Sequence, residues 1–173
     1  VSRIQPGDID WEKVLDTRWF HSTGIVTAVG EHTATEVLAA LKAAKKNGAT
    51  TSFDLNYRHT LWSKEAAQAA MVELMPYIDV IIGNEEDFET MLGIKADNTD
   101  ENYSEIDPMC YKKVAEKVME KYPNVQVVGN SLREVTSACL NNWQCVMMTR
   151  NGYFVSRKYM NIEIYDRVGG GDS

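Results

Sequence analysis

Apolar residues along this chain recur at two different spacings. Between residues 31 and 48, Val37, Leu41 and Ala44 recur at the three- to four-residue interval of an amphipathic helix that ends at Gly48. The same interval, together with a polar capping residue before it, predicts three further helices, over residues 63–78, 84–93 and 107–122.

Short apolar runs rich in β-branched and aromatic residues lie between these helices. They predict strands over residues 17–21, 50–56, 79–83, 125–130, 144–149, 153–159 and 162–165. The run 79–83 is continuously apolar, which is typical of a strand buried on both faces. Residues 131–137 are expected to form a loop, and Asn151-Gly152 predicts a two-residue hairpin turn.

The alternation of strands and helices predicts an α/β fold. We expect a three-layer α/β/α arrangement with a largely parallel sheet and a late antiparallel hairpin, forming one domain over residues 1–173. Residues 95–107 are acidic and aperiodic, which indicates a surface loop. Ligands of such sheets bind outside the carboxyl ends of the strands, so the residues there are the first candidates for a site.

Composition and charge narrow the possible functions. Of 173 residues, 44% are hydrophobic and 25% are charged, as in a soluble globular protein, and no apolar run is long enough to cross a membrane. The net charge of −7 argues against a nucleic-acid partner. The three cysteines lack C-x-x-C spacing, so they favour a reducing cytoplasm over a disulfide framework or zinc site, and the three histidines lie far apart.

Polar side chains follow each predicted strand. Because the carboxyl ends of parallel strands meet at one edge, we expect these side chains to converge there. They are Asp54, Asn56 and Arg58; Asn84 and Asp87; Ser131 and Arg133; and Gly169, Gly170, Gly171 and Asp172.

The glycines 169–171 can form a nest of outward N–H groups that binds a phosphate, and Asp172 would then lie close enough to serve as a general base. A glycine-rich tail, or a glycine turn before an ordinary helix, explains the same residues. Arg58 can bind a carboxylate or phosphate, or can be an exposed arginine paired with Asp54. Asn84 and Asp87 form a variant of the capping box, which is a structural role.

Five consecutive blocks resemble the PfkB-type sugar kinases of the ribokinase-like fold, in particular the 2-keto-3-deoxygluconate kinase branch. The blocks are WFHSTGI, AKKNGATTSFDLNYRHTLW, IIGNEEDFE, SLREVTSACLNNW and DRVGGGDS. The resemblance implies transfer of the ATP γ-phosphate to a sugar acid, with ATP and Mg²⁺ as cofactors. The fructose and ribose kinases of the same superfamily stay open as an alternative, as does a non-catalytic α/β binding module in this truncated form of the chain.

The resemblance also implies site roles. Asp172 would be the base, with Gly169, Gly170 and Gly171 as the anion hole; Arg58, with Asp54 and Asn56, would position the sugar acid. Asn84 and Asp87 would organise magnesium, although Asp87 stands where the family usually has Glu. Ser131 and Arg133 would face the nucleotide phosphates.

Family members are about twice as long as this chain. The resemblance therefore implies that the chain is the middle of an enzyme, without the lid and the adenine-binding segment, and that it is inactive alone. Its exposed sheet edges and uncovered cleft predict self-association, so we expect a homo-oligomer.

Overall fold

The computed structural model describes residues 1–14, 16–95, 107–137 and 139–165. Six α-helices occur in this part of the chain, and a 3₁₀ turn, Met75–Tyr77, follows the fourth. The helices are α1 Trp11–Val14, α2 Gly24–Ala28, α3 Thr33–Lys46, α4 Lys64–Leu74, α5 Glu85–Leu92 and α6 Pro108–Lys121. None of the helices in the described ranges combines the length and the hydropathy that crossing a membrane requires.

The described strands form one mixed sheet. They are β1 Trp19–Thr23, β2 Thr50–Asp54, β3 Val80–Gly83, β4 Val127–Ser137, β5 Leu140–Thr149, β6 Gly152–Val155 and β7 Tyr159–Glu163. Strands β1 to β4 lie side by side and are parallel, whereas β5 is antiparallel to β4 and pairs with both β6 and β7. The predicted α/β class, with a largely parallel sheet and late antiparallel strands, is confirmed.

Local capping chemistry explains where the helices begin and end. The Ser63 hydroxyl accepts a hydrogen bond from Ala66 N at 3.2 Å, and the Asp107 carboxylate accepts one from Met109 N at 2.9 Å. Gly48 and Gly93, which follow α3 and α5, have φ angles of +77° and +68°. Side chains are strained at such angles, so glycine stops both helices as the sequence predicts.

Two predictions for the second half of the chain are wrong in detail. Residues 131–137 are not a loop but the second half of β4, paired with β5 from Ser131↔Cys145 onward. Ser131 and Arg133 therefore lie within β4 and do not follow it. The hairpin is confirmed, but its two turn residues are Arg150 and Asn151, because Thr149 pairs with Gly152.

The main core lies on one face of the sheet. Phe53, Ile81, Val128 and Met148 are partners in register across four strands, and all four are buried in one cluster with residues from α3 to α6. The prediction that β3 is buried on both faces is wrong for Ile82, which is 41% exposed on the opposite face. That opposite face carries the cleft described next.

Candidate active-site cleft

A cleft of about 470 Å³ lies at the carboxyl ends of the parallel strands. Residues from β1 to β4 and from the segments that follow β1, β2 and β3 line it. The lining residues are His21, Thr23, Ile25, Asp54, Asn56, Arg58, Ile82, Gly83, Asn84, Asp87 and Ser131. The cleft therefore occupies the position at which open α/β sheets bind ligands.

Close backbone packing holds together the segments that carry the cleft residues. A Cβ atom at Gly24 would lie 2.0 Å from the Leu55 carbonyl oxygen, so only glycine permits the segment after β1 to approach the end of β2 this closely. Leu55 N donates a hydrogen bond to Ile82 O at 2.8 Å, which extends the β2–β3 pairing by one residue. Asn56 then turns the chain with a φ of +33°, a left-handed angle that asparagine tolerates better than most residues.

Asp87 connects two segments of the cleft wall. Its carboxylate accepts hydrogen bonds from Tyr57 N at 3.0 Å and from Asn84 N at 3.3 Å, while Asn84 Oδ1 accepts one from Asp87 N at 2.9 Å. Asn84 and Asp87 thus form the predicted capping box of α5. The contact with Tyr57 also fixes the segment that carries Arg58 against the start of this helix.

The carboxyl group of Asp87 is buried, and desolvation by this burial raises its pKa. The backbone hydrogen bonds from Tyr57 and Asn84, and the charge of Arg58, oppose that rise. The exposed Arg58 guanidinium donates from Nη1 to its neighbour's carbonyl, Tyr57 O, at 2.8 Å. A guanidinium has five N–H groups, so this bond is compatible with further contacts to a ligand.

The cleft brings together six of the residues that the sequence selects. Asp54, Asn56, Arg58, Asn84, Asp87 and Ser131 all line it. Arg133, by contrast, is not among the lining residues, and its guanidinium lies 5.7 Å from the centre of the Trp143 ring across the β4–β5 pair. Gly169, Gly170, Gly171 and Asp172 lie outside the described residues.

The described side chains of the cleft do not form a complete Mg²⁺ site by themselves. In the described ranges, no group of three or more His, Cys, Asp or Glu side chains could hold a metal ion by itself. Two carboxylates, Asp54 and Asp87, do line the cleft, but the Asp87 oxygens already accept two backbone hydrogen bonds. Mg²⁺ commonly keeps several waters and takes its remaining ligands from one or two carboxylates and substrate phosphates.

Sequence reasoning did not select His21, Ile25, Ile82 or Gly83 as site residues. His21 and Ile82 lie within strands, before the strand ends on which the search concentrated. The sheet register could have found His21, since alternate residues of β1 share a face with Asp54, but the register follows from the fold and not from local sequence.

A family model matches this chain over residues 5–121, which is more than half of its length. The model describes the pfkB family carbohydrate kinases. The match includes every described lining residue of the cleft except Ser131.

The names of individual similar proteins are consistent with that family. The crystal structure of a 2-dehydro-3-deoxygluconokinase from Thermotoga maritima is 44% identical, with a TM-score of 0.90 over 99% of this chain and 50% of that one. A 2-dehydro-3-deoxygalactonokinase from Haloferax volcanii is 34% identical over 97 residues, and a 5-dehydro-2-deoxygluconokinase from Clostridium perfringens is 32% identical over 101. These stretches cover 56% and 57% of this chain but only 30% of each relative.

Proposed function

Since the chain belongs to the pfkB family of carbohydrate kinases, we propose that the protein containing it transfers the γ-phosphoryl group of ATP to 2-keto-3-deoxygluconate, giving the 6-phosphate. The chain spans about half the length of the solved relative and 30% of the curated ones, so the activity belongs to the complete polypeptide in this proposal. The 44% identity to a 2-dehydro-3-deoxygluconokinase supports this sugar acid as the substrate.

The observation that carries the proposal is the convergence of one cation and several oxygen ligands in one cleft. Asp54, Asn56 and Arg58 come from the end of β2, Asn84 and Asp87 from the start of α5, and Ser131 from β4. This combination suits a substrate that carries both hydroxyl groups and a negative charge. It supports a sugar acid over a neutral sugar.

Arg58 is proposed to bind the carboxylate of the sugar acid and the transferred phosphoryl group. A planar guanidinium can donate two parallel hydrogen bonds to either group, which fixes orientation as well as charge. Asp87 supports this role indirectly, because it holds Tyr57 N and thereby the backbone next to Arg58. Asp54 and Asn56 would accept from and donate to the sugar hydroxyl groups.

Asp172 is proposed to accept the proton of the sugar's terminal hydroxyl group. That oxygen then forms the new bond to the γ-phosphorus, the bond from the γ-phosphorus to the bridging oxygen breaks, and ADP leaves. The N–H groups of Gly169, Gly170 and Gly171 would stabilise the charge on the phosphoryl oxygens. These roles rest on the sequence resemblance.

Ser131 and Arg133 are proposed to face the nucleotide phosphates. Arg133 would have to leave its contact with Trp143, since it does not line the cleft. Asn84 and Asp87 would hold the hydration shell of Mg²⁺, which neutralises phosphate charge when it is bound.

The test is an ADP-release assay of the complete polypeptide across sugar acids and neutral sugars. We expect turnover with 2-keto-3-deoxygluconate and little with fructose or ribose. Arg58→Ala should lower kcat/KM for the sugar acid by about 100-fold, the loss expected for a charge-assisted contact of about 3 kcal/mol, and should affect a neutral sugar much less.

Three further outcomes separate the proposed function from its alternatives. Asp172→Asn should abolish phosphorylation of every substrate while leaving the unfolding curve unchanged. Equal losses for charged and neutral sugars in Arg58→Ala would argue for a fructose- or ribose-type kinase. Sugar binding without ADP release in the complete wild-type polypeptide would support the non-catalytic binding module.

A further inference from the structure

A buried hydroxyl group links two aromatic side chains of β1 to β2 at the edge of the cleft. Trp19 Nε1 donates a hydrogen bond to Ser52 Oγ at 2.8 Å, and His21 Nδ1 lies 2.7 Å from the same oxygen. Ser52 is 2% exposed, so its hydroxyl has little access to water. His21 and Ser52 are partners in the β1–β2 register, and His21 lines the cleft.

The chemistry of these three groups determines where the imidazole proton lies. An indole nitrogen can only donate, so Ser52 Oγ uses one lone pair to accept from Trp19. Within the described residues, the other hydrogen bond at this oxygen is the one shared with His21 Nδ1. A buried hydroxyl proton needs an acceptor, and the available acceptor is an unprotonated Nδ1. Neutral His21 therefore carries its proton on Nε2.

Desolvation of His21 also favours the neutral form of its imidazole. Desolvation lowers the pKa of His21 below its usual value of 6.5, which favours the neutral imidazole at neutral pH. The residue is nevertheless exposed, and it lines the cleft. The ring thus offers one N–H donor to an oxygen atom of a ligand.

The position of β1 in the sheet assigns this donor to one end of the cleft. β1 is next to β2, whereas Ser131 lies on β4, three interstrand spacings away, or about 14 Å. His21 is therefore close to Asp54, whose strand partner is Thr23, and distant from the proposed nucleotide contact.

We infer that His21 is a substrate-binding residue that donates a hydrogen bond from Nε2 to an oxygen atom of the sugar acid, and that Trp19 and Ser52 are positioning residues that hold this tautomer. The inference rests on the proposed function for the identity of the ligand. The tautomer itself does not depend on that function.

Two substitutions separate the two nitrogen atoms of His21. The amide of Gln reaches the position of Nε2, so His21→Gln retains the donor to the cleft and loses the contact with Ser52. The shorter Asn reaches only the position of Nδ1, so His21→Asn retains the Ser52 contact and loses the cleft donor. In the complete polypeptide, His21→Asn should raise KM for 2-keto-3-deoxygluconate about two- to tenfold, with kcat and KM for ATP unchanged. His21→Gln should stay within about twofold of the wild type.

A second measurement tests the positioning by Ser52 without catalysis. Nitrogen NMR of the 173-residue chain at neutral pH should show His21 with a protonated Nε2 and an unprotonated Nδ1. Ser52→Ala should produce a mixture of both tautomers and raise KM for the sugar acid in the complete polypeptide. A wild-type spectrum with protonated Nδ1 would overturn the inference.

The kinetic outcomes distinguish this inference from the proposed function. If the wild type phosphorylates the sugar acid but His21→Asn has the wild-type KM, the assignment of His21 is wrong and the proposed function stands. If the wild type does not act on the sugar acid, both the proposed function and the role of His21 in it are wrong. A KM increase in His21→Asn that His21→Gln does not share supports the inference.

Discussion

The Asp87 carboxylate accepts hydrogen bonds from the backbone of two segments, and one of these donors, Tyr57 N, lies 30 residues before Asp87 in the sequence. One is its own helix cap, at Asn84 N, and the other is the β2–α4 segment, at Tyr57 N. Burial disfavours its charged form, and the backbone donors partly compensate. A single side chain therefore stabilises a helix start and orients the backbone beside Arg58.

Asp87→Ala should lower the free energy of unfolding by about 2 kcal/mol, because it removes a helix cap and the acceptor of the Tyr57 N–H group. The measurement is urea-induced unfolding of the 173-residue chain. Glu86→Ala is the matched control, since Glu86 is an exposed acid in the same first turn. Equal losses in the two variants would show that only the charge at the helix start matters, and not the two hydrogen bonds.

At the scale of elements, Asp79 directly precedes β3 and joins it to α3, β2 and β4 at the end of the sheet opposite the cleft. Its carboxylate, in a residue that is 4% exposed, accepts from Thr51 N at 2.9 Å and from Lys45 Nζ at 2.7 and 2.9 Å. Its carbonyl oxygen accepts from Val127 N of β4 at 3.2 Å. α3, β2, β3 and β4 thus meet at one residue, which fixes the strands whose opposite ends form the cleft.

Asp79→Ala should therefore lower the free energy of unfolding by about 3 kcal/mol, because it leaves Lys45 and the Thr51 N–H group without their buried partner. Asp79→Asn should lower it less, since the amide oxygen can still accept from Thr51 N. Chemical denaturation measures both. Lys46→Met, which removes the exposed ion pair with Glu12, is the control and should change stability little. A loss in the control as large as that in Asp79→Ala would contradict the argument.

At the scale of the whole molecule, the sheet has one well-packed face and one open face. We define the open face by Trp19, Ile82, Met147 and Phe154, which the strand register places on the same side and which are 41% to 54% exposed. A largely parallel sheet is normally covered on both faces. On the covered side, one core cluster runs from Val37 to Met148, which supports the proposal that the elements form a single domain.

The open face should make the 173-residue chain associate with itself, because exposed apolar patches of this kind favour contact with other apolar surfaces. Sedimentation velocity should show an average mass that increases with concentration, and Phe154→Lys should weaken this dependence. Val72→Lys is the matched control, since Val72 is an exposed valine on α4, away from this face. A wild-type chain that stays monomeric at every concentration would contradict the prediction.

Local sequence by itself determined the four longest helices, α3 to α6, and the parallel strands of this protein, whereas it did not predict the short helices α1 and α2. Ser63, Asn84, Asp107, Gly48 and Gly93 specify helix ends through hydrogen bonds and dihedral angles within a few residues, so short patterns are enough to predict them. The strand-end rule then selected six residues that line one cleft, because parallel strands must end at the same edge.

Only the tertiary structure decided the extent of β4 and the positions of His21 and Arg133. The second half of β4 is a strand because β5 pairs with it, and its mixed polar sequence carries no apolar pattern that reveals this. Strand register places His21 in the cleft. Arg133 lies over the ring of Trp143 and outside the cleft because β4 pairs with β5. The physical reason is distance along the chain: capping is a local interaction, whereas register, burial and the partner of a polar group depend on segments that only folding brings together.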